Sequence, residues 1–266
     1  MGADLQRVQA RGGLMDARIH MRPGSFFSNS LLTDLHIWDA TVAQFIRAFP
    51  SFRFLRYNTR GYESASDEAV NFDLPAGDVA ALLDALGVHK CLAVIGVSLG
   101  GITYMNFATR YPARLDKYIA CDCNVASSKT WISRVTLAQS VGGWAQLANQ
   151  TVERWFHRTR TTSDVQHMIC LHPGKDSSTV WLRCCDFNLA EKMKEAPVPG
   201  LYVFGHCDGI MPKAMANFAK AIPQASFVEI AGLGHLPMVE QSGALFWSSA
   251  LCLNAPAIAI FGDQAI

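Results

Sequence analysis

Cys91-Leu92-Ala93-Val94-Ile95-Gly96-Val97-Ser98-Leu99-Gly100-Gly101 is the stretch that decides the fold. Its first five residues form an unbroken apolar run, suited to a strand buried on both faces of a parallel sheet. Gly96-Val97-Ser98-Leu99-Gly100 has the G-x-S-x-G spacing of a sharp strand-to-helix turn, with small residues where the chain doubles back. Such a turn holds a serine in a strained conformation and exposes its hydroxyl. A serine hydroxyl is a weak nucleophile at neutral pH, so it needs a base and an acid that orients the base. Gly205-His206-Cys207-Asp208 and Gly232-Leu233-Gly234-His235 supply these groups, each just behind an apolar stretch. Ser98, Asp208 and His235 are therefore the candidate nucleophile, acid and base.

Alternation of strands and helices surrounds this turn. Phe52–Tyr57 reads as a strand and Leu74–Leu86 as an amphipathic helix stopped at Gly87. Leu99–Arg110 continues as a helix, and Lys117–Cys121 as a strand. From about Ala126 to Ala196 the alternation stops, with helical stretches near Trp131–Ser140 and Trp144–Phe156. It resumes with a strand at Gly200–Gly205, a helix at Lys213–Ala221, a strand at Ser226–Ile230 and a helix from about Met238. The pattern predicts an α/β fold, a mostly parallel sheet flanked by helices with a helical cap insertion. The boundaries fall at 1–125 for the first part of the core, 126–196 for the cap and 197–266 for the second part of the core.

The Leu99 N–H, at the start of its helix, is the expected first donor of an oxyanion hole. A second donor is expected in the loop Ser28-Asn29-Ser30-Leu31-Leu32, from Ser30 or Leu31. Other polar residues suggest less. His167 and His172 match no common zinc spacing, and no metal or other cofactor is called for. Cys121, Cys123, Cys184 and Cys185 read as packing thiols; Cys207 lies in the acid loop, where a nucleophile is not expected. His206 reads as a loop residue, and Arg56, Arg60 and Lys90 as partners in local ion pairs or on solvent faces.

A chain of 266 residues, half of them hydrophobic, can bury the core of one large domain. A net charge of +1 gives no reason to expect nucleic acid or an anionic membrane surface as partner. Met1–Arg7 lacks the layout of a signal peptide, Gln6 breaks the myristoylation pattern, and no apolar stretch is long enough for a membrane span. Eight cysteines without a C-x-x-C pair suit free thiols in the cytoplasm. The expected partner is a small-molecule ester or lactone, with the oligomeric state left open.

The order Ser, acid, His is that of the α/β-hydrolases. Within them the chain resembles the 3-oxoadipate enol-lactonases of the β-ketoadipate pathway of aromatic catabolism. The resemblance is carried by Ser28-Asn29-Ser30-Leu31, Leu55-Arg56-Tyr57-Asn58-Thr59-Arg60-Gly61, Asp78–Gly87, the turn at Ser98, Thr130-Trp131 with Arg134, Glu153-Arg154-Trp155-Phe156 and Gly234–Gln241. It implies attack by Ser98 on the carbonyl of a carboxylated enol-lactone, an acyl-enzyme, and hydrolysis by water that His235 activates. It also implies a cation over the pocket, for which Arg134 is the candidate, with Trp131 as a wall.

The chain departs from the family at Leu32, where a glycine is usual, and at Tyr62-Glu63. Further departures are an abbreviated N-terminal hairpin, a short stretch at 157–182, and an irregular tail after Gln241. The alternatives on the same fold are a general carboxylesterase or polyketide-type lactonase, a perhydrolase or haloperoxidase-like enzyme, and a non-catalytic binding protein.

Overall fold

The computed structural model describes residues 5–10, 13–19, 23–30, 33–60, 71–127, 130–157, 187–209 and 211–252. Its strands are β1 (Leu5–Ala10), β2 (Gly13–Ile19), β3 (Pro23–Ser28), β4 (Arg53–Tyr57), β5 (Cys91–Val97), β6 (Leu115–Cys121), β7 (Gly200–Gly205) and β8 (Ala225–Ile230). They form one sheet in the order β1-β2-β4-β3-β5-β6-β7-β8. The six strands from β4 to β8 in this order run parallel, while β1 and β2 add an antiparallel hairpin at the edge. That hairpin, expected to be abbreviated, pairs continuously from Leu5↔Arg18 to Ala10↔Gly13.

The helices are α1 (Asp39–Ala48), α2 (Asp73–Ala85), α3 (Leu99–Arg110), α4 (Thr130–Gln139), α5 (Gly143–Trp155), α6 (Ala190–Glu195), α7 (Met211–Lys220), α8 (Pro237–Glu240) and α9 (Ser242–Cys252). Successive strand residues point to opposite faces, so each parallel strand feeds two cores. Phe26, Val94, Ala120, Tyr202 and Phe204 pack with Val79, Leu83, Met105, Phe107 and Met215 from α2, α3 and α7. Phe27, Ile95, Ile119, Leu201 and Val203 pack with Phe45, Leu147, Val152 and Phe246 from α1, α5 and α9. Burial on both sides explains why Cys91–Ile95 is apolar without alternation.

The tail after Gln241, expected to be irregular, continues as α9 through Cys252. Its serines hide the helical pattern, but Leu245, Phe246 and Ala250 are buried in the second core. The Phe246 ring meets Phe45 edge-on at 4.8 Å, so tertiary packing overrides the weak local signal. Within 126–196 the described residues hold α4, α5 and α6, and residues 158–186 lie outside the described ones. The two ends of this stretch meet in an antiparallel bridge between Ala126 and Asn188. Among the described residues, no helix is long and apolar enough to cross a membrane.

One ion pair ties the chain beyond β4 to α2. Arg60 donates through Nε to Asp78 Oδ2 at 2.9 Å and through Nη2 to Oδ1, and both side chains are almost wholly buried. The planar fork matches the carboxylate, but removing one partner strands a buried charge. Asp78→Ala is expected to lower stability by about 3–5 kcal/mol. A shift in the urea midpoint at constant slope measures this, and a loss under about 1 kcal/mol would contradict it. Arg56 pairs with Asp39 and Lys90 with Asp116, the local roles expected of them.

Candidate active site

β5, β6, β7 and β8 are parallel neighbours, so the residues after each emerge at one edge of the sheet. Ser98, Asp122, Asp208 and His235 all follow these strand ends, and all four are buried. Open parallel sheets place their ligands at this carboxyl edge.

Ser98 has φ 52° and ψ −113°, a conformation that a non-glycine residue rarely holds. Its N–H donates to Cys121 O at 2.8 Å, which fixes the turn against β6. A Cβ on Gly96 would run into the backbone of Gly100, and a Cβ on Gly100 would run into Ser28 O and Asn29 O. The two glycines therefore let α3 start close beneath β5 and against the loop after β3. The Gly100 N–H donates to Asn29 O at 3.1 Å. Asn29 in turn donates to Ser30 O and Thr33 O and accepts from Thr59 Oγ1 at 3.2 Å. Leu99 opens α3, where first-turn N–H groups have no partner within the helix. Ser30 is buried next to this start, while Leu31 and Leu32 lie outside the described residues.

His235 Nδ1 lies 2.9 Å from Asp208 Oδ2, with the carboxylate accepting from the ring N–H. That bond assigns the proton to Nδ1 and leaves Nε2 as the basic nitrogen. The imidazole stacks on the Trp155 ring, with centroids 4.9 Å apart and planes 24° apart. The His235 N–H also donates to Trp155 O at 2.8 Å. Gly234 sits against the same carbonyl, where any Cβ would clash. Glu240 accepts from the N–H groups of Gly234 and His157, binding the His235 loop to the end of α5. Trp155 and Glu240 were not singled out as site residues from the sequence, although both stand in segments that carry the family resemblance.

Asp122 is a further group that sequence reasoning passed over. Its signal was available, because it is an acid directly behind a strand end, where Asp208 lies three residues behind its own. Its φ of 42° is left-handed. Oδ1 accepts from the Gly205 N–H at 2.9 Å, and its own N–H donates to Val203 O at 3.0 Å. Oδ2 is buried without a hydrogen-bond partner. One carboxylate oxygen each of Asp122 and Asp208 and a ring nitrogen of His235 lie within 4.8 Å of one another, a set with the ligand types of a metal site. A cation there would compete for the bond between Asp208 and His235.

Arg134 lies on α4 and is half-buried. Arg154, on α5, is exposed as a whole residue, yet protein crowds its charged end. Its guanidinium is held down to about 10, first by desolvation and then by the positive charge of Arg134, with Asp208 opposing. The two arginines thus lie within electrostatic reach of each other, and Arg154 within reach of Asp208. Trp131 lies on α4, but its side chain is outside the described residues, as are Tyr62, Glu63, His167, His172, Cys184 and Cys185. Cys121 and Cys123 are buried packing thiols, and Cys207 is half-buried. His206 pairs with Glu229 at the surface.

The model of the alpha/beta hydrolase family matches residues 23–246. The 3-oxoadipate enol-lactonase 2 of Acinetobacter baylyi is 26% identical over 234 residues, covering 84% of this chain and 85% of the relative. Among solved structures, the enol-lactonase of Burkholderia xenovorans superposes with a TM-score of 0.80 at 24% identity, covering 94% of this chain and 99% of that one. A thermophilic esterase from Thermogutta terrifontis superposes with a TM-score of 0.82 at 23% identity, over 95% and 98% of the two chains. At these identities the structural likeness establishes the fold.

Proposed function

Because this chain belongs to the alpha/beta hydrolase family, whose hydrolytic members include the enol-lactonase and esterase above, we propose that it opens a small carboxylated enol-lactone through an acyl-enzyme. Ser98 is the nucleophile, His235 the base and Asp208 the acid of this reading. The observation that carries it is the 2.9 Å bond from His235 to Asp208, at the same sheet edge as the strained Ser98.

In this mechanism Ser98 Oγ attacks the ring carbonyl while His235 Nε2 takes its proton. The carbonyl π electrons move to oxygen, giving a tetrahedral oxyanion that accepts from the Leu99 N–H and from a second N–H at Ser30 or Leu31. Collapse of the oxyanion breaks the ring C–O bond. The enol oxygen takes the proton from the imidazolium, and the enol then tautomerises to the ketone. Water attacks the acyl-enzyme, His235 accepts its proton and returns it to Ser98, and the free acid leaves. Asp208 holds the tautomer and offsets the imidazolium charge.

Arg134 and Arg154 support an anionic substrate, since Arg154 lies within electrostatic reach of Asp208 and Arg134 within reach of Arg154, and this positive charge favours a substrate carboxylate. Trp131 is assigned to the pocket wall, and 126–196 to a helical cap over it. The reaction needs no cofactor and is assigned to the cytoplasm.

Two measurements test the reading. Labelling by a fluorophosphonate, mapped by mass spectrometry, is expected on Ser98. The kcat/KM for a carboxylated enol-lactone is expected to exceed that for a neutral aryl ester by at least about tenfold, the worth of one charge-assisted hydrogen bond. A preference for the neutral ester would make the chain a general carboxylesterase. Absence of labelling on well-folded protein would make it a non-catalytic binding protein. Arg134→Ala is expected to raise KM for the anionic lactone about 10- to 100-fold, with a smaller effect on the neutral ester. Equal effects on both substrates would reduce Arg134 to a structural role.

A further inference from the structure

We propose that Asp122 is a second acid of the site, placed beside Asp208 behind His235, which can replace Asp208 as partner of the imidazole. The proposal rests on the serine-hydrolase reading above. It starts from an unusual combination at one residue. Asp122 is fully buried and held in a left-handed conformation at the end of β6, with Oδ1 satisfied by the Gly205 N–H and Oδ2 lacking a partner. An asparagine would accept the same bond from Gly205 without the cost of a buried ionisable group. The oxygens of the two aspartates and the His235 nitrogen lie within 4.8 Å of one another, so a modest side-chain movement would bring Asp122 to the imidazole.

Two buried carboxyls this close cannot both ionise at modest cost, and such a pair titrates as a unit. Burial raises the Asp122 carboxyl well above its usual range, the negative charge of Asp208 and then of Glu240 adds to this, and the Gly205 N–H opposes it. Burial and the neighbouring Asp208 carboxylate thus hold the proton on Asp122. Among the described residues, the other titratable groups facing Asp122 are Cys121 and Cys123 beside it on the chain, Glu240 from α8 and His235 from the loop after β8. Both thiols are pushed up by burial and by Asp122 itself, so they hold their protons. When Asp208 is removed, the leading repulsion on Asp122 goes with it. Asp122 then releases its proton more readily, although burial still holds it above the ordinary carboxylate range. It acts through His235 and is therefore a positioning residue.

A double-mutant cycle of Asp208→Ala and Asp122→Asn in the full chain tests this, with kcat/KM for a carboxylated enol-lactone and for an aryl ester read across pH. Asp208→Ala is expected to lose about 100-fold or less, against roughly 10⁴-fold where a triad has no substitute acid. The double variant is expected to lose at least about tenfold more than the product of the two single losses. The rate of Asp208→Ala is expected to rise with pH through an added ionisation that Asp122→Asn abolishes. Losses that simply multiply, or a full 10⁴-fold loss in Asp208→Ala, would overturn the proposal.

Should Asp122→Asn fail to fold, the pH profile of Asp208→Ala decides alone, and a profile without the added ionisation overturns it. Fluorophosphonate labelling of the wild type separates the two readings. Labelled wild type with a multiplicative cycle sinks only the role of Asp122, whereas unlabelled wild type sinks the serine-hydrolase reading itself.

Discussion

Ser98→Ala is expected to lower kcat for lactone or ester hydrolysis by about 10⁶-fold and to abolish fluorophosphonate labelling. The size of the loss follows from the division of labour at the sheet edge. Without Oγ there is no bond from enzyme to acyl carbon, and His235 has no proton to take from it. What remains is the preorganised field at the start of α3, worth a residual 10³ to 10⁴ over water in comparable triads. The fold should not suffer, because the Ser98 N–H bond to Cys121 O is retained and alanine is no larger than serine. Rates at several enzyme concentrations, together with a thermal melt of the variant, measure both halves of the expectation. Residual turnover above about 1% of wild type would remove Ser98 from the role assigned to it.

The second large effect falls on stability. Gly100→Ala is expected to destabilise the fold by more than about 4 kcal/mol, beyond the 1–3 kcal/mol of ordinary overpacking. The new methyl would point at two backbone oxygens, Ser28 O and Asn29 O at 2.9 Å, and neither belongs to a flexible side chain that could swing away. The Gly100 N–H also donates to that same Asn29 carbonyl, so a retreat of α3 would stretch a buried hydrogen bond. Gly77→Ala in α2 is the control, since a Cβ there meets nothing within 4 Å. It should gain about 0.5–1 kcal/mol from the helix preference for alanine. Denaturant midpoints of the two variants should move in opposite directions; a loss of under about 1 kcal/mol in Gly100→Ala would mean that the loop after β3 yields.

Those two glycines also show which parts of the molecule can be read from the sequence. The turn at Ser98 is local: a buried strand, a tight bend and a helix within twenty residues, each with its own residue preferences. Asp208 and His235 were legible for a related reason, since each follows its strand in a loop bounded by glycine. Asp122 carries the same after-strand mark but sits between two cysteines without a glycine. Its importance arises only because β6 lies beside β7 in the sheet, a non-local fact. Trp155 belongs to the same class, since it meets His235 across a chain separation that no periodicity reports, and Glu240 matters because it reaches His157 across 83 residues. The helix α9 was legible only in part, as a helix from about Met238 that gives way to an irregular tail, for a different reason. Its serines break the apolar pattern, and only burial against Phe45 selects the helix.

The contacts around His235 carry a consequence for how a substrate can enter. The imidazole leans on the Trp155 ring, the His235 backbone N–H holds the Trp155 carbonyl, and Glu240 joins the loop before His235 to His157. The proposed base is therefore carried by the end of α5 as much as by the sheet. Lifting that end to open a doorway would disarm the site while it loads. A path for small molecules that leaves this anchored flank still would let the proposed base keep its aim through each turnover.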